Sequence, residues 1–252
     1  GMLSEVIVAD AGSRDATAEV ADIAGCRLIS STDVLGARLS PPRSTFITDE
    51  GKTIDFNQVV NAGFGVLEQL GAVFEEAMAR NQPTVNRAEY GIYLHACGGF
   101  HLIQPLMQWF RCPAVRSALK PRFERQLKIL FYRLRSEQLW FEDAVVQAPQ
   151  FRKLYLLQAL NFYGHWLETM GRLVAAGAFD PDAQQRRDIV AARTLLVETV
   201  LRLRQEGAFG WTGPVPGIDY ETYLRFIGDA CHAYHGWQLT AFAVRASPTR
   251  DN

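Results

Sequence analysis

The spacing of hydrophobic residues along the chain becomes helical from about residue 56 onward. Apolar side chains there recur at three-, four- and seven-residue intervals, the spacing of a helix with one buried face. In the first such stretch the recurring positions are Val60, Phe64, Leu67, Phe74 and Met78. Similar stretches follow to about residue 246, and the connections between them are short. This pattern predicts a mainly α fold, a bundle of six to seven helices.

Proline, glycine and aspartate residues indicate where these helices begin and end. The predicted helices run from about 56 to 83, from about 86 through Pro105, from 121 to about 146, from 149 to 177, from 181 to 206, and from 219 to about 246. Gly98-Gly99 and Pro105 are expected to loosen and kink the second helix. Asp180 and Asp219 are expected to cap the helices that follow them.

The first 55 residues have a different pattern, typical of a small α/β segment. Residues 5–9 and 26–30 are short apolar runs that predict buried strands, and residues 15–24 between them predict a helix. Residues 45–56 predict a hairpin around a polar turn. The predicted organisation is therefore an α/β segment with a hairpin (1–55), an all-helical domain (56–246) and a frayed tail (247–252).

A sequence motif follows the first predicted strand, and it reads Asp10-Ala11-Gly12-Ser13-Arg14-Asp15-Ala16-Thr17. It resembles the Asp-x-Gly-Ser-x-Asp-x-Thr motif of family 2 type glycosyltransferases. Residues 25–29 match that family's next strand, and residues 36–38 resemble the loop that follows, so the resemblance covers residues 5–38. In that family the aspartate at the strand end contacts the nucleotide of the sugar donor. The resemblance therefore implies a cofactor-binding role for Asp10.

The same family carries a metal-binding Asp-x-Asp after a later strand. The sequence Asp180-Pro181-Asp182 has this spelling, but it lies between two predicted helices. We interpret it as a helix cap rather than as a metal ligand.

Composition and charge exclude several classes of protein. The chain has 252 residues, of which 48% are hydrophobic and 21% are charged, an ordinary globular balance. Its four cysteines are widely spaced without a Cys-x-x-Cys pair, which favours a reducing, cytoplasmic location. The net charge of −1 provides no overall field for nucleic acid or a membrane surface. We expect a small-molecule ligand as the partner. A homo-oligomer is a further possibility that the sequence leaves open.

Two neighbouring stretches have an unusual charge content, the first without charges and the second rich in basic residues. Residues 90–110 contain no Asp, Glu, Lys or Arg, but their histidines, glutamines and Pro105 are costly in lipid, so we expect buried core that lines a pocket. Basic residues dominate positions 111–135. We interpret them as the solvated face of an amphipathic helix, with a phosphate-binding or nucleic-acid-binding stripe as the alternative.

Asp229, His232 and His235 are the candidate metal ligands. They follow one another at three-residue steps on the last predicted helix, so they span an arc of about 120° on one side of it. Carboxylate and imidazole groups that project from several helices into one cavity are how metal sites in bundles are built. Such a site suits iron, manganese or zinc. The alternative is a set of hydrogen-bonded histidines without a metal.

His101, His165 and Glu168 are the candidate catalytic groups that would face those ligands. His165 and Glu168 are three residues apart, and Cys97 lies four residues before His101. We interpret Cys97 as a cysteine that packs in the hydrophobic interior. The alternative is that its thiol is a nucleophile. The chain has neither a Gly-x-Ser-x-Gly elbow nor a phosphate-binding Gly-rich loop that precedes Lys-Ser/Thr.

Aromatic residues are concentrated on the same helical stretches as the histidines. They favour a pocket for a small hydrophobic molecule, with a large aromatic core as the alternative. Three hypotheses follow: a helical enzyme, for example a metal-dependent oxidoreductase; a non-catalytic ligand-binding or interaction protein; and a divergent nucleotide-sugar-binding protein that uses Asp10.

Overall fold

A computed structural model describes residues 7–10, 27–30, 45–47, 53–87, 91–94, 96–108, 110, 113–210 and 220–244. The chain divides into two compact units, residues 1–58 and residues 59–252. The predicted helix at 15–24, the predicted cap at Asp219 and the tail 247–252 lie outside the described residues.

The first unit contains two pairs of short strands. Strands β1 (Ile7–Asp10) and β2 (Arg27–Ser30) are parallel, with Asp10 opposite Ser30. Strands β3 (Thr45–Ile47) and β4 (Thr53–Asp55) are antiparallel, with Phe46 opposite Ile54. All four strands fall on runs that the sequence predicts as strands.

Six α-helices make the described part of the chain mainly α, as the sequence predicts. They are α1 (Phe56–Ala79), α2 (Phe100–Gln108), α3 (Pro113–Gln147), α4 (Arg152–Ala175), α5 (Ala183–Gln205) and α6 (Tyr220–Leu239). Short 3₁₀ turns lie at Gly91–Leu94, Ala96–Gly99, Pro149–Phe151, Ala208–Gly210 and Ala241–Ala243. No helix among the described residues combines the length and the apolar character that crossing a membrane requires.

Several predicted helix ends are wrong, each for a local reason. The α-helix predicted from residue 86 is replaced by two 3₁₀ turns before α2. An α-helix cannot continue there because Cys97 and Gly98 have positive φ angles of 54° and 59°. Helix α3 begins at Pro113 and continues through Pro121. The cap of α5 is Asp182 rather than Asp180.

The cap of α5 is a reciprocal pair of hydrogen bonds. The Asp182 carboxylate accepts from the Gln185 backbone N–H at 2.8 Å, and the Gln185 side chain accepts from the Asp182 N–H at 2.9 Å. Two backbone donors at the helix start are thereby satisfied. The interpretation of Asp180-Pro181-Asp182 as a cap is thus confirmed, with the second aspartate as the capping residue.

Helix α4 is the central helix of the second unit. Residues 162–171 are all buried, and α4 contacts α2, α3, α5 and α6. Trp166 is fully buried, and its indole N–H donates to the Leu130 carbonyl of α3 at 2.9 Å. A helix that is buried on every side places its polar residues, including His165 and Glu168, inside the protein.

Glycines allow α4 and α6 to approach closely. A Cβ on Gly164 would lie 2.8 Å from the Ala233 nitrogen, and a Cβ on Gly236 would lie 2.7 Å from both the Gly164 oxygen and the Glu168 nitrogen. Side chains larger than hydrogen do not fit between these backbones. The close approach brings Glu168 of α4 within reach of the α6 side chains beside Gly236.

The basic residues of α3 differ in how far they are exposed to solvent. Arg122 donates two hydrogen bonds to Glu68 of α1, at 2.7 and 2.6 Å, and Arg125 pairs with Glu75 of α1. Arg133 is completely buried. The interpretation as a solvated face is therefore wrong for Arg133.

Candidate metal centre

Glu168 is the centre of a hydrogen-bond network that joins three helices. Its carboxylate is 1% exposed and accepts from Nδ1 of His232 and Nδ1 of His235, both at 2.8 Å. Arg172 donates to the same carboxylate at 2.7 and 3.0 Å, and Gln104 donates at 3.2 Å. Because an ionised carboxylate only accepts, Nδ1 carries a proton in both imidazoles, so Nε2 is the only nitrogen of each ring that can offer a lone pair.

The electrostatics of the network keep Glu168 ionised. Burial acts to raise the pKa of Glu168, but hydrogen bonds from His232 and Arg172 outweigh burial and hold the pKa well below its usual range. A buried carboxylate with this many donors has no lone pair to spare. Its evident role is therefore to orient the imidazoles rather than to bind a further group.

Three imidazole rings are close to one another beside this carboxylate. The ring centroid of His165 lies 3.9 Å from that of His232 and 5.0 Å from that of His101, and the His101 and His232 centroids are 5.7 Å apart. His165 is fully buried, and neither of its ring nitrogens has a hydrogen-bond partner among the described residues. Burial, together with the neighbouring His232, lowers the pKa of His165 to about 3. His165 is therefore a neutral imidazole at ordinary pH and has a lone pair for a ligand.

Among the residues that the structure describes, two sets of three side chains have potential metal-ligating atoms within 4.8 Å of one another. One set is Cys97, His101 and His165, and the other is His165, Glu168 and His232. In the second set Glu168 Oε2 already accepts from His232 Nδ1, so a metal there would break that hydrogen bond. The first set leaves the hydrogen bonds of Glu168 intact.

The backbone at Cys97 places the thiol in the first set. Cys97 adopts a left-handed conformation (φ 54°, ψ 37°), which is uncommon for a residue with a side chain. The glycines that follow, Gly98 and Gly99, also have positive φ angles, and α2 begins at Phe100. Burial raises the pKa of the Cys97 thiol. Unusual backbone conformations of this kind are concentrated at functional sites.

The remaining predicted site residues lie elsewhere. Asp229 belongs to neither set: its carboxylate accepts from Asn161 Nδ2 at 2.6 Å, and burial raises its pKa. Asp10 ends strand β1 in the first unit. The structure thus brings together His101, His165, Glu168, His232 and His235, which the sequence analysis assigns partly to catalysis and partly to metal binding.

Sequence reasoning missed two members of the network, Gln104 and Arg172. Arg172 lies four residues after Glu168 on α4, and this spacing is a signal for an ion pair on a helix. Gln104 comes from α2 and has no such signal, because its contact with Glu168 depends on tertiary packing.

A cavity of about 760 Å³ lies in the second unit. Cys97 and Asp229 line it, together with Arg133 and the aromatic rings of Tyr93 and Phe162. The volume is that of a typical small-molecule site. Because Cys97 belongs both to the cavity wall and to a potential ligand set, the cavity and the set are contiguous.

Comparisons of the chain with models of protein families, with curated proteins and with solved structures find no match. The function is therefore inferred from the site.

Proposed function

We propose that the helical unit is a metal-dependent enzyme whose metal ion is bound by Cys97, His101 and His165. The observation that carries this proposal is the spacing of their ligand atoms, all within 4.8 Å of one another. Ligand atoms around one tetrahedral zinc ion are about 3.3–3.8 Å apart, so small side-chain rotations would complete the set. One thiolate with two imidazoles favours zinc over the harder cations.

Three protein ligands would leave one coordination position for water or substrate. This is the usual difference between a catalytic zinc site and a structural one, which has four protein ligands. The cavity that Cys97 lines gives a small molecule access to that position. With zinc, the expected chemistry is hydrolysis or proton transfer, because zinc has no redox chemistry. An oxidoreductase would need a redox-active metal such as iron or manganese at the same residues, or a separate redox cofactor beside zinc.

His232 is the proposed acid–base group. Its Nδ1 donates to Glu168, and its ring lies 3.9 Å from that of His165. Its Nε2 is therefore the atom that would accept or return a proton beside the metal. Glu168 fixes the ring and its tautomer, as carboxylates do for histidines near metals.

Elemental analysis of the purified chain tests the proposal. We expect about one zinc ion per chain, and its loss in both Cys97→Ser and His165→Ala. Cys231→Ser is the matched control, because Cys231 is an exposed cysteine of α6. His235→Ala is expected to retain zinc at full stoichiometry, because His235 hydrogen-bonds to Glu168 and is not one of the three proposed ligands. Metal content below a tenth of stoichiometric, or full content in Cys97→Ser, would disprove the ligand set.

The first unit supports a second proposal, nucleotide-sugar binding at Asp10. Strands β1 and β2 are parallel, and Asp10 is the last residue of β1, which agrees with the resemblance to family 2 type glycosyltransferases. A carboxylate at the carboxyl end of a parallel strand is a common nucleotide contact. We expect UDP to raise the melting temperature, and Asp10→Ala to abolish the shift. Asp180→Ala, at a side chain 94% exposed in the second unit, is the control. An equal shift in Asp10→Ala would refute the role of Asp10.

A further inference from the structure

Arg133 is a buried cation with unused hydrogen-bond donors. Its side chain is 0% exposed, and Nη2 donates to the Gly98 carbonyl at 3.0 Å. Nε and Nη1 have no hydrogen-bond partner among the described residues. A guanidinium stays protonated, so these donors cannot be relieved by loss of a proton. Leaving a buried charged donor unpaired is costly, which indicates that a ligand group completes it.

The charges near Arg133 leave a positive excess on this side of the cavity. Arg87 and Arg133 both line the cavity, and Glu137 is the buried carboxylate beside them. Glu137 pairs with Arg87, at 3.5 Å between Oε2 and Nε. Glu137 therefore balances one of these two guanidinium groups. Arg225 and Asp229 also line the cavity, and their opposite charges offset each other. An anion of single charge would balance the guanidinium of Arg133.

Part of the cavity wall is apolar, although Gln158, Asn161, Arg225 and Asp229 also line the cavity. Leu157, Phe162 and Phe226 line it, and the rings of Tyr93 and Phe162 flank the Arg133 guanidinium at 5.7 Å. A ligand with a negative group at one end and an apolar body would satisfy both parts of the wall. The planar fork of a guanidinium matches the two oxygens of a carboxylate.

We propose that the cavity binds a small organic acid, with its carboxylate on Arg133 and its apolar body against the leucine and aromatic wall. Cys97 directly precedes Gly98, whose carbonyl accepts from Arg133, so the bound acid would lie beside one of the proposed metal ligands. The acid would then be the substrate class of the proposed metal centre, and that assignment rests on the proposed function. Binding itself does not depend on the metal, because Arg133 and the apolar wall belong to the protein alone. The two proposals are therefore tested separately.

The first test uses full-length protein freed of metal with a chelator, with benzoate as the probe and benzamide as its uncharged analogue. We expect benzoate to raise the melting temperature progressively with concentration and benzamide to leave it unchanged. Arg133→Gln is expected to abolish the benzoate shift. Arg135→Gln is the control, because Arg135 is an exposed arginine of the same helix and its removal is expected to leave the shift intact. Equal shifts with both compounds, or an undiminished shift in Arg133→Gln, would overturn the proposal.

A second test does not need a variant that removes a buried charge. Cys97 lines the cavity, whereas Cys231 is exposed on α6. In metal-free wild-type protein, a ligand in the cavity should therefore slow the alkylation of Cys97 and leave that of Cys231 unchanged. At a benzoate concentration tenfold above its Kd, iodoacetamide should modify Cys97 about tenfold more slowly, with Cys231 unchanged. Benzamide and inorganic phosphate should give no protection. Unprotected Cys97, or phosphate protection as strong as that by benzoate, would overturn the assignment, whatever the zinc content proves to be.

Discussion

At the scale of single residues, the buried carboxylate of Glu168 joins side chains from three helices. Its donors are Gln104 of α2, Arg172 of its own helix, and His232 and His235 of α6. A charge in the interior is stable only when its desolvation is offset by donors with good geometry. The same donors are oriented in return, so the network both stabilises the fold and fixes the imidazole rings.

Replacing Glu168 with glutamine tests this dependence. The amide has nearly the same shape, but it is uncharged and presents an N–H₂ group where one oxygen accepts. We expect the free energy of unfolding to fall by about 2–3 kcal/mol in urea denaturation of metal-free protein. Glu198→Gln, at an exposed residue of α5, is the control and should change it by less than about 0.5 kcal/mol. A similarly small change in Glu168→Gln would show that the network contributes little to stability.

At the scale of helices, the candidate centre depends on how closely α4 and α6 pack. Gly164 faces the backbone of Ala233 on α6, and Gly236 faces the backbone of Gly164 and Glu168 on α4. Gly171 of α4 faces Leu239. A larger separation of the helices would move His232 and His235 out of hydrogen-bond range of Glu168, since both distances are 2.8 Å. These glycines are thus indirect determinants of the site.

Alanine substitutions on α6 separate packing from helix propensity. In Gly236→Ala the new Cβ would meet two backbone atoms at 2.7 Å, so the helices must separate. We expect a loss of about 1–3 kcal/mol in the free energy of unfolding. Gly228→Ala is the matched control, because a Cβ there meets nothing within 4 Å. It should be stabilising by about 0.5–1 kcal/mol, the intrinsic preference of alanine over glycine in a helix. If the two variants have the same free energy of unfolding in urea, close packing of α4 and α6 is not what positions the histidines.

At the scale of the whole molecule, local pattern predicts the elements well and their associations only in part. The apolar period identifies the helices, and apolar runs identify the strands, because both signals are local. The burial of Arg133 is not local: it lies on a helix whose neighbouring positions carry exposed basic residues, and only packing against other helices distinguishes it. The same holds for Cys97, whose left-handed backbone depends on the turn before α2 and not on a helical period. The approach of His165 on α4 and His232 on α6 depends on the glycine contacts between these two helices, which no spacing within one helix reveals.

The division of the chain into two compact units leads to a prediction about which part carries the candidate centre. Every side chain of the proposed metal centre and of the organic-acid cavity lies in residues 59–252. That unit has its own core, which includes Phe74, Trp166 and Leu196. A fragment of residues 56–252 is therefore expected to unfold cooperatively in urea and to bind zinc with the same stoichiometry as the full chain. A fragment of residues 1–55 is expected to show no cooperative transition, because so short a chain buries too little surface to be stable alone. Loss of cooperative unfolding or of zinc from the longer fragment would mean that residues before 56 are needed to form the centre.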